Sequence, residues 1–391
     1  MPGIPETSVG RNIFNDSLAV MKKHIILTQL FETGGSNSHL KVLLKYFKKE
    51  QVILAIENGN ELNYLKEIDP GSAIGNKVLT GLHQYACLTY KLSTNIRELL
   101  NIIVSLVRFL LLSIKNGFAD ITISAVAPEK HLYVLWLPFV RVTYILHTLP
   151  QGRLTPFTSF TCNYRLGKKK KIVVVSNAMN KLLCNKWSIA DKKQPYVVTI
   201  YNTLLNENST TDHPVRELSK KTVLTIGSID FNKNPETWLK VAQAVTARRH
   251  DTDFIWIGNG AELEHFRESV KDNDAIHFEG LAKDPKPFLQ KAALYYQPSL
   301  NESHGIAVLE AMNAGLPCVV SNIGGLNESV SHHYNGVLVT PLNAAESADA
   351  ITKLLDDPEK LKTYGHNSFD RYHHLFSYDV FKAAMDNIYL N

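Results

Sequence analysis

Two glutamates eight residues apart, with a glycine between them, are the residues of this 391-residue chain best placed to do chemistry. They lie in the run QPSLNESHGIAVLEAMNAGLP, where Glu302 follows a strand pattern and Gly305 lets the chain turn into a helix from Ile306. Glu310 then falls about one turn inside that helix, so both carboxylates can reach a ligand at its N-terminus. The free N–H groups there suit a phosphate, whereas carboxylates repel one. The pair therefore points to neutral hydroxyls beside a phosphate: the geometry of a sugar phosphate.

Three further segments follow strand patterns and carry glycine. Gly227-Ser228 leads through Lys233 to Pro235, a residue suited to the first turn of a helix. A cation beside a helix N-terminus fits a diphosphate, although a lysine is as readily just solvated. Gly34-Gly35 precedes a helical pattern and reads either as a plain turn or as a loop that approaches an anion. Gly258-Asn259-Gly260 is only GxG, lacking the third glycine of a dinucleotide fingerprint, which gives dehydrogenase chemistry little support.

Apolar, β-branched runs near 25–28, 52–56, 121–126, 142–147, 172–176 and 197–200 alternate with helical patterns such as 38–49 and 177–186. A second series starts at Thr222, with runs at 223–226, 254–257, 276–278, 294–297, 318–321 and 337–339. Unpatterned apolar strands between amphipathic helices predict parallel sheets covered on both faces, hence two doubly wound α/β domains. Ligands of such sheets bind beyond the carboxyl ends of the strands, so the site is expected in a cleft between the domains. The predicted organisation is an extension over 1–20, a first domain over 21–205, a polar linker over 206–221, a second domain over 222–376 and a terminal helix in 377–391.

The run NESHGIAVLEAMNAGLPCVVSNIGGLNE resembles the signature of family 4 of the glycosyltransferases, retaining enzymes of GT-B fold. Glu302, Glu310, Gly315, Pro317, Gly324, Gly325 and Glu328 match it, and Gly227, Lys233, Gly258, Gly260 and Gly280 extend the likeness. The resemblance implies two Rossmann-like domains facing across a cleft. It implies that Lys233 binds the donor diphosphate, Glu310 the ribose and Glu302 the transferred sugar. Backbone N–H groups near Gly305 and Ile306 would meet sugar and phosphates, and His147 would lie by the sugar's far end. The Gly34-Gly35 loop would close on the phosphates or shape the acceptor site, the loop from Leu281 to Asp284 would border the base, and the final helix would cross back to the first domain. Ser228 stands where the family usually has arginine, and Ser303 and His304 where glycine and phenylalanine are common. The surface against the sugar is thereby altered.

The implied reaction is retaining transfer from a nucleotide-diphosphate sugar, UDP ahead of GDP, to a saccharide or lipid-linked acceptor in cell-surface polysaccharide or glycolipid synthesis. It implies no metal and no cofactor beyond the donor itself. Two other readings stay open: a nucleotide-sugar-binding protein without chemistry, and a sugar-nucleotide epimerase on the same fold. The epimerase would need extra carboxylates in the first domain's loops, where Glu32 is the nearest candidate.

Composition fits this frame. Residues 1–214 carry 25 Lys+Arg against 14 Asp+Glu, and the remainder 17 against 23, so a basic half precedes an acidic one. The basic half can meet an acceptor or an anionic membrane; no nucleic-acid partner is expected. Leu99 to Ile114 is apolar but falls short of the roughly 20 residues that span a bilayer, and Arg108 interrupts it. It reads as a helix buried between the sheet and a neighbour, with a membrane-surface helix as the alternative. Four dispersed cysteines without a CxxC pair suggest free thiols in a reducing, cytoplasmic setting. The first 20 residues do not resemble a secretory signal.

Overall fold

The computed structural model describes residues 23–28, 35–48, 51–56, 78–80, 94–125, 131–150, 155–205 and 221–389. The expected extension 1–20, Gly34 and Glu32 lie outside them, as does the linker except for Lys221, which opens a strand instead.

The first sheet contains β1 (His24–Thr28), β2 (Val52–Ile56), β3 (Val78–Thr80), β4 (Asp120–Ala125), β5 (Val142–Leu146), β6 (Lys170–Val174) and β7 (Val197–Thr199). Its order is β3-β2-β1-β4-β5-β6-β7, and every pairing is parallel. The second sheet contains β8 (Lys221–Ile226), β9 (Thr252–Ile257), β10 (Ile276–Gly280), β11 (Ala292–Gln297), β12 (Cys318–Ser321) and β13 (Gly336–Val339). It repeats the plan in the order β10-β9-β8-β11-β12-β13, again all parallel. In each sheet the winding reverses beside the first strand, which opens a crevice beyond the strands' carboxyl ends.

Helices of the first domain are α1 (Gly35–Tyr46), α2 (Thr94–Lys115), α3 (Pro156–Arg165) and α4 (Asn177–Lys186). The second domain adds α5 (Pro235–Thr246), α6 (Leu263–Ser269), α7 (Lys286–Lys291), α8 (Ile306–Asn313), α9 (Leu326–Ser329), α10 (Ala344–Leu355) and α11 (Pro358–Leu375). The last helix, α12 (Tyr378–Tyr389), leaves the second domain and buries Phe381, Met385 and Ile388 against Leu40, Leu43 and Phe47 of the first. Tyr46 donates to Asp386 at 2.9 Å, and the Tyr389 hydroxyl meets Thr122 at 2.7 Å, fixing that return.

Burial explains why the inner strands are largely apolar: all five residues of β2 and of β5 are buried, with helices on both sides. The structure corrects the expectation for the long apolar run. α2 buries Ser105, Phe109 and Ser113 but leaves Ile103, Val107 and Leu111 exposed, so only one face is covered. No helix among the described residues is long and apolar enough to cross a membrane. β3, α3 and α11 are elements that the periodicity did not reveal.

Candidate active site

Lys233 is placed by its own loop. The Asp230 carboxylate accepts the N–H groups of Asn232 (2.9 Å) and Lys233 (3.2 Å), and the Ser228 hydroxyl donates to that same carboxylate. This tight turn ends at Asn234, which adopts left-handed backbone at φ 58° and caps α5. The N–H of Leu300 reaches Asn232 O at 2.7 Å, and Asn234 Nδ2 reaches Pro298 O at 3.2 Å. The loops after β8 and β11 are thus joined by backbone, and the Lys233 ammonium pairs with the Glu302 carboxylate. Glu302 also accepts Gln297 Nε2 at 3.0 Å, while Gln297 Oε1 accepts the Tyr295 hydroxyl at 2.8 Å. Burial raises the Tyr295 phenol well above its usual range and keeps it a donor. Gln297 and Tyr295 carried no sequence signal, since they end an ordinary apolar strand.

Gly305 opens α8 at φ 81°, a left-handed conformation that favours glycine, and no side chain caps the helix. Its first N–H groups are left for a ligand. Gly324 and Gly325 lie against the backbone of this loop: a Cβ on Gly324 would stand 2.2 Å from Glu302 O, and one on Gly325 2.1 Å from Ser303 O. Gly258 similarly abuts the carbonyl of Gly227, to which Trp256 Nε1 donates at 2.9 Å.

Glu310 lines a cavity of about 380 Å³ with Ile306 and Asn313 of α8, Ser38 and Lys41 of α1, and Lys283 and Asp284 after β10. Both domains therefore contribute to one pocket. Leu281 is exposed and lies outside this lining, which Lys283 and Asp284 supply from the same loop. Burial lifts the Glu310 carboxyl to about 7. A carboxyl raised on folding destabilises the fold once pH passes its unfolded value, and this cost is complete above the folded value. Glu310→Gln is accordingly expected to raise the melting temperature at pH 8 and to change it little at pH 4.5. Equal shifts at both pH values, read by thermal denaturation, would contradict this.

His304 is buried at the junction of the domains. Its ring stacks on Tyr201 with centroids 5.0 Å apart, and its Nδ1 accepts the N–H of Asn202 at 3.2 Å. Burial lowers the imidazole to about 3, so it is neutral, and Nε2 has no partner among the described residues. On the first domain, His147 at the end of β5 meets Ser124 Oγ at 2.8 Å and lies 4.4 Å, ring to ring, from His39. Burial brings His147 down to about 4. Gly35 begins α1 at the same end of the sheet. No hydrogen bond among the described residues links His147 to Glu302 or Lys233. One contact that sequence reasoning left unassigned joins the domains directly. The Glu328 carboxylate accepts the N–H of Asn177 (2.9 Å) and of Ala178 (2.6 Å) at the N-terminus of α4, and the Tyr201 hydroxyl (2.8 Å).

Residues 208–371 match the family model described as Glycosyl transferases group 1, and this stretch contains Lys233, Glu302, Glu310 and Glu328. The second domain belongs to that family. An uncharacterized glycosyltransferase of Haemophilus influenzae is 30% identical to this chain over 162 residues, 40% of this chain and 44% of that protein. The alpha-D-kanosaminyltransferase of Streptomyces kanamyceticus is 29% identical over 151 residues, 37% of this chain and 39% of the relative. The chain thus spans about two fifths of the length of the curated relatives it matches. The fold likeness runs further. The structure of Anabaena Alr3699/HepE in complex with UDP covers 94% of this chain and 99% of its own, with a TM-score of 0.70 at 16% identity. The group 1 domain and the domain before it together have the GT-B fold.

Proposed function

We propose that the protein transfers a sugar from a nucleotide-diphosphate sugar, UDP-linked by preference, to a saccharide or lipid-linked acceptor, with retention at the anomeric carbon. One observation carries this reading: Lys233 and Glu302 meet beside the uncapped start of α8, with Glu310 one turn inside the interdomain cavity. The UDP held by the similarly folded Anabaena protein supports the choice of nucleotide.

In this reading the bound diphosphate draws the Lys233 ammonium from Glu302, and the first N–H groups of α8 share its charge. Glu302, kept in place by Gln297, then accepts hydroxyls of the sugar, and Glu310 accepts those of the ribose. The neutral His147 imidazole can hydrogen-bond the sugar's far end without adding charge. The acceptor hydroxyl attacks the anomeric carbon from the face that the phosphate leaves. As the new glycosidic bond forms and the C–O bond to phosphate breaks, the acceptor proton passes to the departing phosphate oxygen. Positive groups at that phosphate, rather than a cofactor, stabilise the developing charge. Closure of the domains excludes the water that would hydrolyse the donor.

The test is a panel of UDP- and GDP-sugars read by nucleotide release, with and without acceptor, and NMR of the product anomer. Acceptor-dependent release of UDP and a retained anomer are expected. Inversion would refute the retaining mechanism, and tight donor binding without turnover across the panel would favour a silent binding protein.

A further inference from the structure

The group 1 domain is not the part of the molecule with the most conspicuous exposed surface. On α2, Leu100, Ile103, Val107, Leu111 and Ile114 are all exposed and recur every three or four residues, which puts them on one stripe of the helix. Ser105, Phe109 and Ser113 are buried on the opposite side. The helix delivers the chain to the start of β4, and because the sheet is all parallel, every strand starts on one rim. Two loop-tip phenylalanines stand on that rim. Phe118 before β4 is 49% exposed and Phe139 before β5 is 82% exposed, both with left-handed backbone at φ 56° and 64°. Bulky residues rarely adopt that conformation, and here it turns an apolar ring into solvent.

Cations surround these rings. Lys23 precedes β1 and donates to Asn116 at the foot of α2 at 3.2 Å, and the exposed Lys168 and Lys169 precede β6. Residues 100–171 hold ten Lys+Arg and two Asp+Glu. Of the two acids, Asp120 is buried and Glu129 lies outside the described residues. Exposed aromatic and aliphatic groups among lysines, with no exposed described acid in the span, complement a surface that is apolar beneath and anionic on top.

We propose that this rim and the adjoining end of α2 form a docking face for an anionic lipid bilayer. Phe118, Phe139, Leu111 and Ile114 enter the interfacial layer, while Lys23, Lys168 and Lys169 meet lipid phosphates. The face lies at the opposite end of the sheet from the strands' carboxyl ends, so docking leaves the crevice open. It stands independently of the glycosyl-transfer reading, because its test involves no nucleotide sugar.

The experiment is co-sedimentation of the whole protein with phosphatidylcholine vesicles, with and without phosphatidylglycerol. Anionic lipid is expected to raise binding by roughly tenfold or more, with loss at high salt. Phe118→Ser with Phe139→Ser, and separately Lys168→Glu with Lys169→Glu, should each abolish that gain while the melting temperature holds. Equal binding to both vesicles, no binding at all, or wild-type binding by either folded pair overturns the proposal. So does a lipid-free dimer that the phenylalanine pair converts to monomer, since a second copy would then be what covers this face.

Discussion

Lys233→Met is expected to lower kcat for sugar transfer by roughly 100- to 1,000-fold, the effect of removing one preorganised charge or donor from a leaving group. The size follows from how the side chain is held. The Asp230 turn fixes its backbone, the bonded loops after β8 and β11 bring it to Glu302, and its side chain is only 22% exposed, so little solvent replaces it. The negative charge it would meet grows as the bond to the diphosphate breaks. UDP affinity should therefore fall by less than kcat does. Glu302→Gln should remove the same ion pair and cost a comparable factor, and the double variant should lose far less than the product of the two. Steady-state kinetics on the active donor, with calorimetric UDP binding, checks all three. Undiminished kcat in Lys233→Met would remove the proposed role, and fully multiplicative losses would mean that the two residues act separately.

Gly324→Ala should be severely damaging for a change of one methyl group. Its Cβ would come within 2.2 Å of Glu302 O, and the residue sits at φ 44°, where an L side chain is strained. A backbone carbonyl cannot swing aside as a long side chain can, so the loop bearing Glu302 must move. A loss of about 2–4 kcal/mol of stability is expected, within the upper range for strain and overpacking, and donor KM should rise with it. Urea denaturation monitored by tryptophan fluorescence measures the first effect. A variant with wild-type stability and KM would show that this close approach is not maintained in solution.

Much of this architecture is legible in the residues because its determinants are local. Glu302, Gly305 and Glu310 belong to one strand–turn–helix unit, so their mutual placement follows from the turn and the helical repeat. The partners that hold them come from elsewhere in the chain. Asp230 and Gln297 resemble ordinary turn and strand residues until the two loops are joined, and nothing local aims His304 at Tyr201. α2 is instructive in the opposite sense. An apolar run predicts a helix, but which faces are covered depends on what packs there, and here one stripe remains open. β3 is three residues long, and α11 is dominated by polar and charged residues, so neither offers a strong hydrophobic pattern.

The return of α12 to the first domain makes the group 1 half an insertion: a guest joined to its host at two points, before β8 and after α11. A chimera that replaces the guest with another group 1 domain would exchange the guest's share of the interdomain pocket, while Ser38 and Lys41 of the host stay in place. The graft must bring its own equivalents of Glu328, which grips a helix of the host, and of His304, which meets Tyr201 and Asn202.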